Sequence, residues 1–305
     1  MTRPRDAGTL AVWRRRYGKG RPRGGELGVL LVRDAAGKWR WPAAVPESAA
    51  LAGPTASVRE AREDLGASVV AGLPLTGAVR AATLRSADVR LRPGPRAREV
   101  AWLAPEQAAQ RLELASERSA LEALLAAAED GRLAARPLVV ARHAHARPRD
   151  AWSDADAKRP LVRRGRREAA GLVELLQCWR PERVVSSPWL RCRETLTPYV
   201  ERTGVSVRWK AGLTEAGHER DPGKARAHVR KLLERDQVSL LCTHRPVLAS
   251  VVEVLRRAAA DDVLDLLPTE DPWLEPAELL VAHVVRPARE RPLVVAVERH
   301  LPQTS

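Results

Sequence analysis

The chain has 305 residues, 45% of them hydrophobic, with 52 Lys+Arg against 38 Asp+Glu and a formal net charge of +14. That length exceeds most single cores and implies two domains. The hydrophobic fraction excludes a disordered chain, and no apolar run reaches the length of a membrane span.

The N-terminus, MTRPRDAGTL, has no apolar signal-peptide core, so a cytoplasmic location is expected. The first predicted elements are a strand at Thr9 to Arg14, a basic glycine-rich loop at Gly18 to Gly25, a strand at Leu27 to Arg33 and a short strand at Trp39 to Pro42. A helix from Pro54 to Leu65 follows, then strands at Ala67 to Val70, Val79 to Leu91 and Glu99 to Leu103, and a closing helix. The stretch AAEDGRLAARP, residues 127 to 137, reads as a linker and separates a domain at 1–130 from one at 137–305. Cys178, Cys192 and Cys242 are odd in number and scattered, which fits reduced apolar fillers better than a disulfide set.

Within the first helix stands REAREDLG, residues 59 to 66. Glu60, Glu63 and Asp64 are spaced i, i+3 and i+4 and share one face. Three carboxylates on one stripe can hold Mg²⁺ bridging to a pyrophosphate; a solvated charged face is the commoner meaning of such a cluster. The run Arg59-Glu60-Ala61-Arg62-Glu63-Asp64-Leu65-Gly66-Ala67 resembles the second half of the Nudix hydrolase box. The first half is missing, because its glycine falls on Val45 and its first glutamate on Leu51. The resemblance implies an α/β/α sandwich with a mixed sheet. It implies Mg²⁺ held by Glu60, Glu63, Asp64 and Glu99 where such a site is active, and weak or absent hydrolysis here, since the loop glycine and the loop carboxylate are both lost.

The second part alternates strand and helix, which predicts a doubly wound, largely parallel sheet. Strands are predicted at Leu138 to Ala141, Arg183 to Val185, Ser206 to Trp209 and Val238 to Cys242, and helices at Arg164 to Gln177, Trp189 to Thr203, Lys224 to Glu234 and Val247 to Arg257. LLVAHVV and LVVAVERH close the chain as a candidate hairpin. ARHAHA, SSPWLRCRET, GLTEAGHE and CTHRPVL each lie just past a predicted strand, and ligands of open α/β sheets bind at the carboxyl ends of strands. Arg142, His143, Arg191, Glu215 and His244 are therefore expected around one crevice.

Phosphoryl transfer needs positive donors around the non-bridging oxygens, an in-line nucleophile and an acid for the leaving oxygen. Arg142 and Arg191 can grip the oxygens, His143 can attack phosphorus, Glu215 can supply the proton, and His244 is a further donor. Zinc held by His143, His145 and a third histidine is the rival, but Arg142, Arg147, Arg149, Arg191 and Arg245 would crowd a cation while welcoming an anion. The four segments resemble the signature of the histidine phosphatase superfamily, the phosphoglycerate-mutase-like fold, over about residues 137 to 300. The resemblance gives His143 the nucleophile role, Arg142 and Arg191 the phosphate-binding roles, His244 the second pocket histidine and Glu215 the acid. It assigns no role to His145 and implies no cofactor at this site.

The two domains in this order resemble actinobacterial two-domain MutT-like proteins, which are associated with hydrolysis of 8-oxo-guanine nucleotides and diadenosine polyphosphates. The resemblance implies a phosphohydrolase of phosphorylated small molecules, nucleotides first, without a membrane partner. Two alternatives are an active Mg²⁺-dependent Nudix pyrophosphohydrolase coupled to the phosphatase, and a non-enzymatic binder of nucleotides or nucleic acid. Only six of the basic residues are lysine, and arginine in excess suits phosphate. The chain is also rich in Ala, Gly, Pro and Val with no Phe. Compositional bias therefore explains the charge better than nucleic-acid binding, for which no zinc-finger, helix-turn-helix or aromatic–basic pattern is present.

Overall fold

The structure, a computed structural model, describes residues 9–15, 27–42, 54–77, 79–86, 90–288 and 290–303. The predicted glycine-rich loop at Gly18 to Gly25 and the box positions Val45 and Leu51 lie outside the described residues. The chain divides into two compact units, Met1–Leu133 and Ala134–Ser305.

In the first unit the apolar runs become β1 (Thr9–Arg15) and β2 (Leu27–Asp34), paired antiparallel. Around them lie β3 (Trp39–Arg40), β4 (Val69–Thr76), β5 (Val79–Leu84) and β6 (Ala97–Leu103). The sheet runs β3-β2-β1-β5-β4 with β6 also on β2, and β1 lies parallel to β5, so the sheet is mixed. Ala11, Trp13, Val29 and Leu31 join Leu121 and Leu124 of α3 (Ala115–Glu129) in one core. The alternate set Leu10, Val12, Leu30 and Val32 is equally buried and on a strand faces the other way. Both faces of the sheet are thus covered; α1 (Pro54–Leu65) packs on β1 and β4, and α2 (Pro105–Arg111) on β2. The predicted strand at Val79 to Leu91 ends at Leu84, where the apolar alternation gives way to Arg-Ser-Ala-Asp.

The second unit is built on β7 (Arg136–Arg142), which buries five successive residues between two neighbours. Beyond it come α4 (Arg163–Trp179), β8 (Arg183–Ser186), α5 (Leu190–Thr203), β9 (Val207–Trp209), α6 (Glu215–Arg220), α7 (Pro222–Leu233), β10 (Ser239–Thr243), α8 (Arg245–Arg257), β11 (Leu279–Val285) and β12 (Leu293–His300). The strand order is β12-β11-β7-β10-β8-β9. β7, β10, β8 and β9 run parallel; the hairpin β11–β12 adds antiparallel at the β7 edge. α6 has no counterpart among the predicted helices. It spans six residues, too few for a helical hydrophobic period to register, and is started by Thr214, whose Oγ1 accepts from the Gly217 N–H at 2.9 Å.

The loop after β7 is fixed against α4. The His145 carbonyl accepts the Val162 N–H at 3.0 Å just before the helix begins, and a Cβ on Gly165 would collide with that same carbonyl. Because the obstacle is backbone, Gly165→Ala is expected to lower stability by about 1–3 kcal/mol and to displace the loop that carries His143. Thermal unfolding together with the rate of phosphate release checks this; a variant with unchanged melting and unchanged rate would refute it.

Candidate active site

Arg142 pairs with Thr243 in the parallel register of β7 and β10, so His143 and His244 leave the sheet side by side. The His143 N–H donates to the Thr243 carbonyl at 3.0 Å, and the two imidazole centroids lie 5.2 Å apart. β8 supplies the next segment one strand over, with Ser186 paired to Cys242. The strand-end placement thus gathers residues far apart in sequence.

His143 is 7% exposed. Its Nδ1 lies 2.8 Å from the Ala144 carbonyl, which can only accept, so Nδ1 carries the proton and Nε2 keeps a lone pair. Nε2 receives the Arg191 Nε–H at 3.3 Å. Burial, with the charges of Arg191, Arg142 and Arg159 adding to it, lowers the imidazole pKa to about 3.

Arg191 is fully buried. Its Nη1 donates to the Asp156 carbonyl at 2.8 Å, its Nη2 to Asp156 Oδ2 at 3.1 Å and to Glu215 Oε1 at 2.6 Å, and its guanidinium lies over the Trp189 ring. Glu215, the first residue of α6, also accepts from Arg149 at 2.6 Å. Asp156 holds Arg159 at 2.6 Å; burial pushes its carboxyl pKa up, but the Arg159 hydrogen bond and the charges of Arg191, Arg159 and Arg149 outweigh this and leave it lowered. Arg142 donates through Nη1 to the Leu274 carbonyl at 2.7 Å, while its Nε is buried without a hydrogen-bond partner.

His244 is 0% exposed. Its Nε2 lies 2.7 Å from Ser187 Oγ and 3.5 Å from Cys192 Sγ. Its Nδ1 is 3.6 Å from Glu215 Oε1, beyond hydrogen-bond reach, and has no partner. Burial, then the neighbouring His143 and the arginines, push its pKa well below the ordinary value. Arg142, His143, Arg149, Arg159, Glu215 and Arg245 line one cavity of about 580 Å³. The reading from sequence passed over Arg159, Asp156 and Ser187. Asp156 and Arg159 sit three residues apart in DAKR, an opposite-charge spacing that was on view; Ser187 carried no signal of its own.

His145, the second member of His-x-His, belongs to a different contact. Its Nδ1 lies 2.8 Å from Glu168 of α4, and its N–H donates to the same carboxylate at 3.0 Å. The donor atoms of His143, Glu215 and His244 do lie within 4.8 Å of one another. They do not suit a cation, because Glu215 is engaged by two guanidiniums and Arg142 and Arg191 stand beside the imidazoles.

The carboxylates that would hold Mg²⁺ in an active first unit are paired with arginines or stand apart. Asp64 is fully buried and ion-paired to Arg40 at 2.8 Å and to Arg96 at 3.3 Å, and Glu60 pairs with Arg96 at 3.3 Å. Glu63 is exposed, with Arg96 at 3.9 Å, and Glu99 stands apart on β6, 3.7 Å from Arg33. A hard cation needs about six open oxygen ligands, and here guanidiniums already neutralise the buried carboxylates.

Residues 138–284 match the model of the histidine phosphatase superfamily (branch 1). An 8-oxo-(d)GTP phosphatase of Mycolicibacterium smegmatis is 25% identical over 210 residues, 66% of this chain and 64% of its own length. The chain thus spans just under two thirds of that relative. The protein histidine phosphatase SixA complexed with tungstate aligns with a TM-score of 0.40 at 22% identity, covering 54% of this chain and 97% of that one. A mycobacterial glucosyl-3-phosphoglycerate phosphatase aligns with a TM-score of 0.39 at 18% identity, covering 56% of this chain and all (100%) of that one.

A pKa of about 3 keeps the His143 imidazole neutral at every pH above that value. The acid limb of kcat/KM set by this group is therefore expected near pH 3 rather than near 6.5. A pH–rate profile in which the rate falls with protonation of a single group near 6.5, and in which that group is His143 by NMR titration, would contradict this.

Proposed function

We propose that the second unit, which holds a histidine-phosphatase-superfamily domain, hydrolyses phosphate esters or anhydrides without a metal, through a phosphohistidine at His143. One observation carries the reading: a buried imidazole with its proton committed to the Ala144 carbonyl presents a lone pair at Nε2 beside the Arg191 guanidinium. A phosphoryl group entering there meets positive charge on its oxygens and a neutral nucleophile at phosphorus.

In the first step His143 Nε2 bonds to phosphorus while the phosphorus–oxygen bond to the leaving group breaks. Arg142, Arg159 and Arg191 compensate the oxygens, with His244 Nδ1 as a further donor. Phosphate oxygens replace both Glu215 and His143 Nε2 as acceptors on Arg191, and Glu215, having taken up the proton of a monoprotonated phosphate substrate, passes it to the departing oxygen. In the second step water attacks phosphorus and gives its proton to Glu215, which returns it to the phosphate released as the phosphorus–nitrogen bond breaks. The proton balance closes over the cycle.

Nucleotides are the first substrate class to test, 8-oxo-guanine nucleotides among them. The support is the relative from M. smegmatis, whose name states an 8-oxo-(d)GTP phosphatase, together with the arginine-lined cavity. No helix among the described residues is long and apolar enough to cross a membrane.

The test is phosphate release from p-nitrophenyl phosphate and from a panel of nucleoside di- and triphosphates, oxidised forms included, with and without EDTA. His143→Ala is expected to lower the rate by roughly a thousandfold or more, with EDTA without effect on the wild type. Acid-labile, base-stable ³²P on the wild-type chain alone would identify the phosphohistidine. Persistent turnover in a folded His143→Ala variant would sink the proposal.

A further inference from the structure

The carboxylate stripe of α1 takes no part in the phosphatase chemistry, and its surroundings are unusual. Glu60, Glu63 and Asp64 are neighbours on the helix and repel one another. Glu60 is 6% exposed and Asp64 0%, and a buried charge left uncompensated costs several kcal/mol. Positive charge must therefore sit among them. It is supplied by the chain: Arg96 turns Nη1 toward Glu60 at 3.3 Å, Nη2 toward Glu63 at 3.9 Å and Nε toward Asp64 at 3.3 Å. Arg40 grips Asp64 with both terminal nitrogens, at 2.8 and 3.3 Å.

The position of Arg96 is set by backbone. The Gly94 N–H donates to the Asp64 carbonyl at 3.0 Å and the Arg92 N–H to the Leu65 carbonyl at 3.2 Å, so the loop caps carbonyls that the end of α1 leaves open. A Cβ at residue 94 would collide with the Glu63 carbonyl, so glycine is what permits the approach. A loop seated this closely delivers Arg96 to one place.

We propose that Arg96, with Arg40, occupies the charge-compensating place that a divalent cation would take among Glu60, Glu63 and Asp64. The first unit then binds no divalent cation at α1, and removing the Arg96 guanidinium uncovers a cation site made of the same carboxylates. With the carboxylates held by guanidiniums, no metal is available there to bridge to a phosphate. The proposal is independent of the phosphatase reading, since it concerns residues of the other unit.

Mn²⁺ titration of the full chain at neutral pH, followed by electron paramagnetic resonance, tests it. The wild type is expected to show no bound Mn²⁺ that Asp64→Asn or Glu60→Gln removes. Arg96→Ala is expected to bind Mn²⁺ at least roughly tenfold more tightly than the wild type, and Arg96→Ala/Asp64→Asn to lose that gain. Arg96→Met, which keeps the apolar stem without the charge, serves if the alanine variant fails to fold by circular dichroism. Wild-type Mn²⁺ binding abolished by Asp64→Asn would overturn the proposal, and so would a folded Arg96 variant that gains none. The wild-type titration decides the occupancy claim whatever the variants do.

Discussion

Burying a guanidinium completely costs several kcal/mol unless its nitrogens find acceptors, and each nitrogen of Arg191 does so, with groups from three separate places. The Asp156 carbonyl and carboxylate come from the loop after β7, Glu215 from the start of α6, and His143 Nε2 from the end of β7. The loops at the sheet's carboxyl edge are thereby tied to one side chain. The contact also sets chemistry. The Arg191 Nε–H occupies the His143 lone pair and the charge opposes protonation, so the imidazole stays a base that cannot be wasted on a proton.

The carboxylates around Arg191 take the positions of acceptors. Glu215 and Asp156 hold the guanidinium with geometry that phosphate oxygens can reproduce, so under the proposed mechanism substrate entry exchanges one set of anionic acceptors for another rather than desolvating a bare cation. The exchange also frees Glu215 to face a leaving group. Arg142 Nε and His244 Nδ1 are buried without such partners, and Arg142 Nε–H is a donor for which an anion brings a new hydrogen bond rather than a replacement. The ring of His244 is held in place by the 2.7 Å contact of its other nitrogen with Ser187.

Much of this was legible because each motif follows a short apolar run, and a parallel sheet brings the ends of its strands to one edge. The proximity of Arg142, His143, Arg191, Glu215 and His244 was readable that way. Arg159, Asp156 and Ser187 were not, since their roles come from partners supplied by other elements: Ser187 matters through His244, 57 residues away. The fold of the first unit was readable strand by strand, except that the strand expected at Ala67 to Val70 runs instead over Val69–Thr76 and the one expected to reach Leu91 stops at Leu84. The carboxylate stripe on α1 was visible from its spacing, but spacing gives the face and not what faces it. Arg40 lies 24 residues from Asp64, and Arg96 lies 36 residues from Glu60. No local pattern joins them.

The two units apply the same arginine–carboxylate chemistry to opposite ends. At Arg191 the partner Glu215 lines a cavity of about 580 Å³ together with Arg142 and His143, so under the proposed mechanism the ion pair can be exchanged for substrate. At Asp64 the carboxylate is fully buried and held by two guanidiniums, and the loop that brings Arg96 is locked to the helix by backbone hydrogen bonds, so the pairing is fixed in place. An ion pair that a ligand can replace is a binding site; one whose removal costs more than a ligand returns is a structural joint. A cavity beside the pairing and the rigidity of the supporting backbone, rather than residue type, separate the two in this chain.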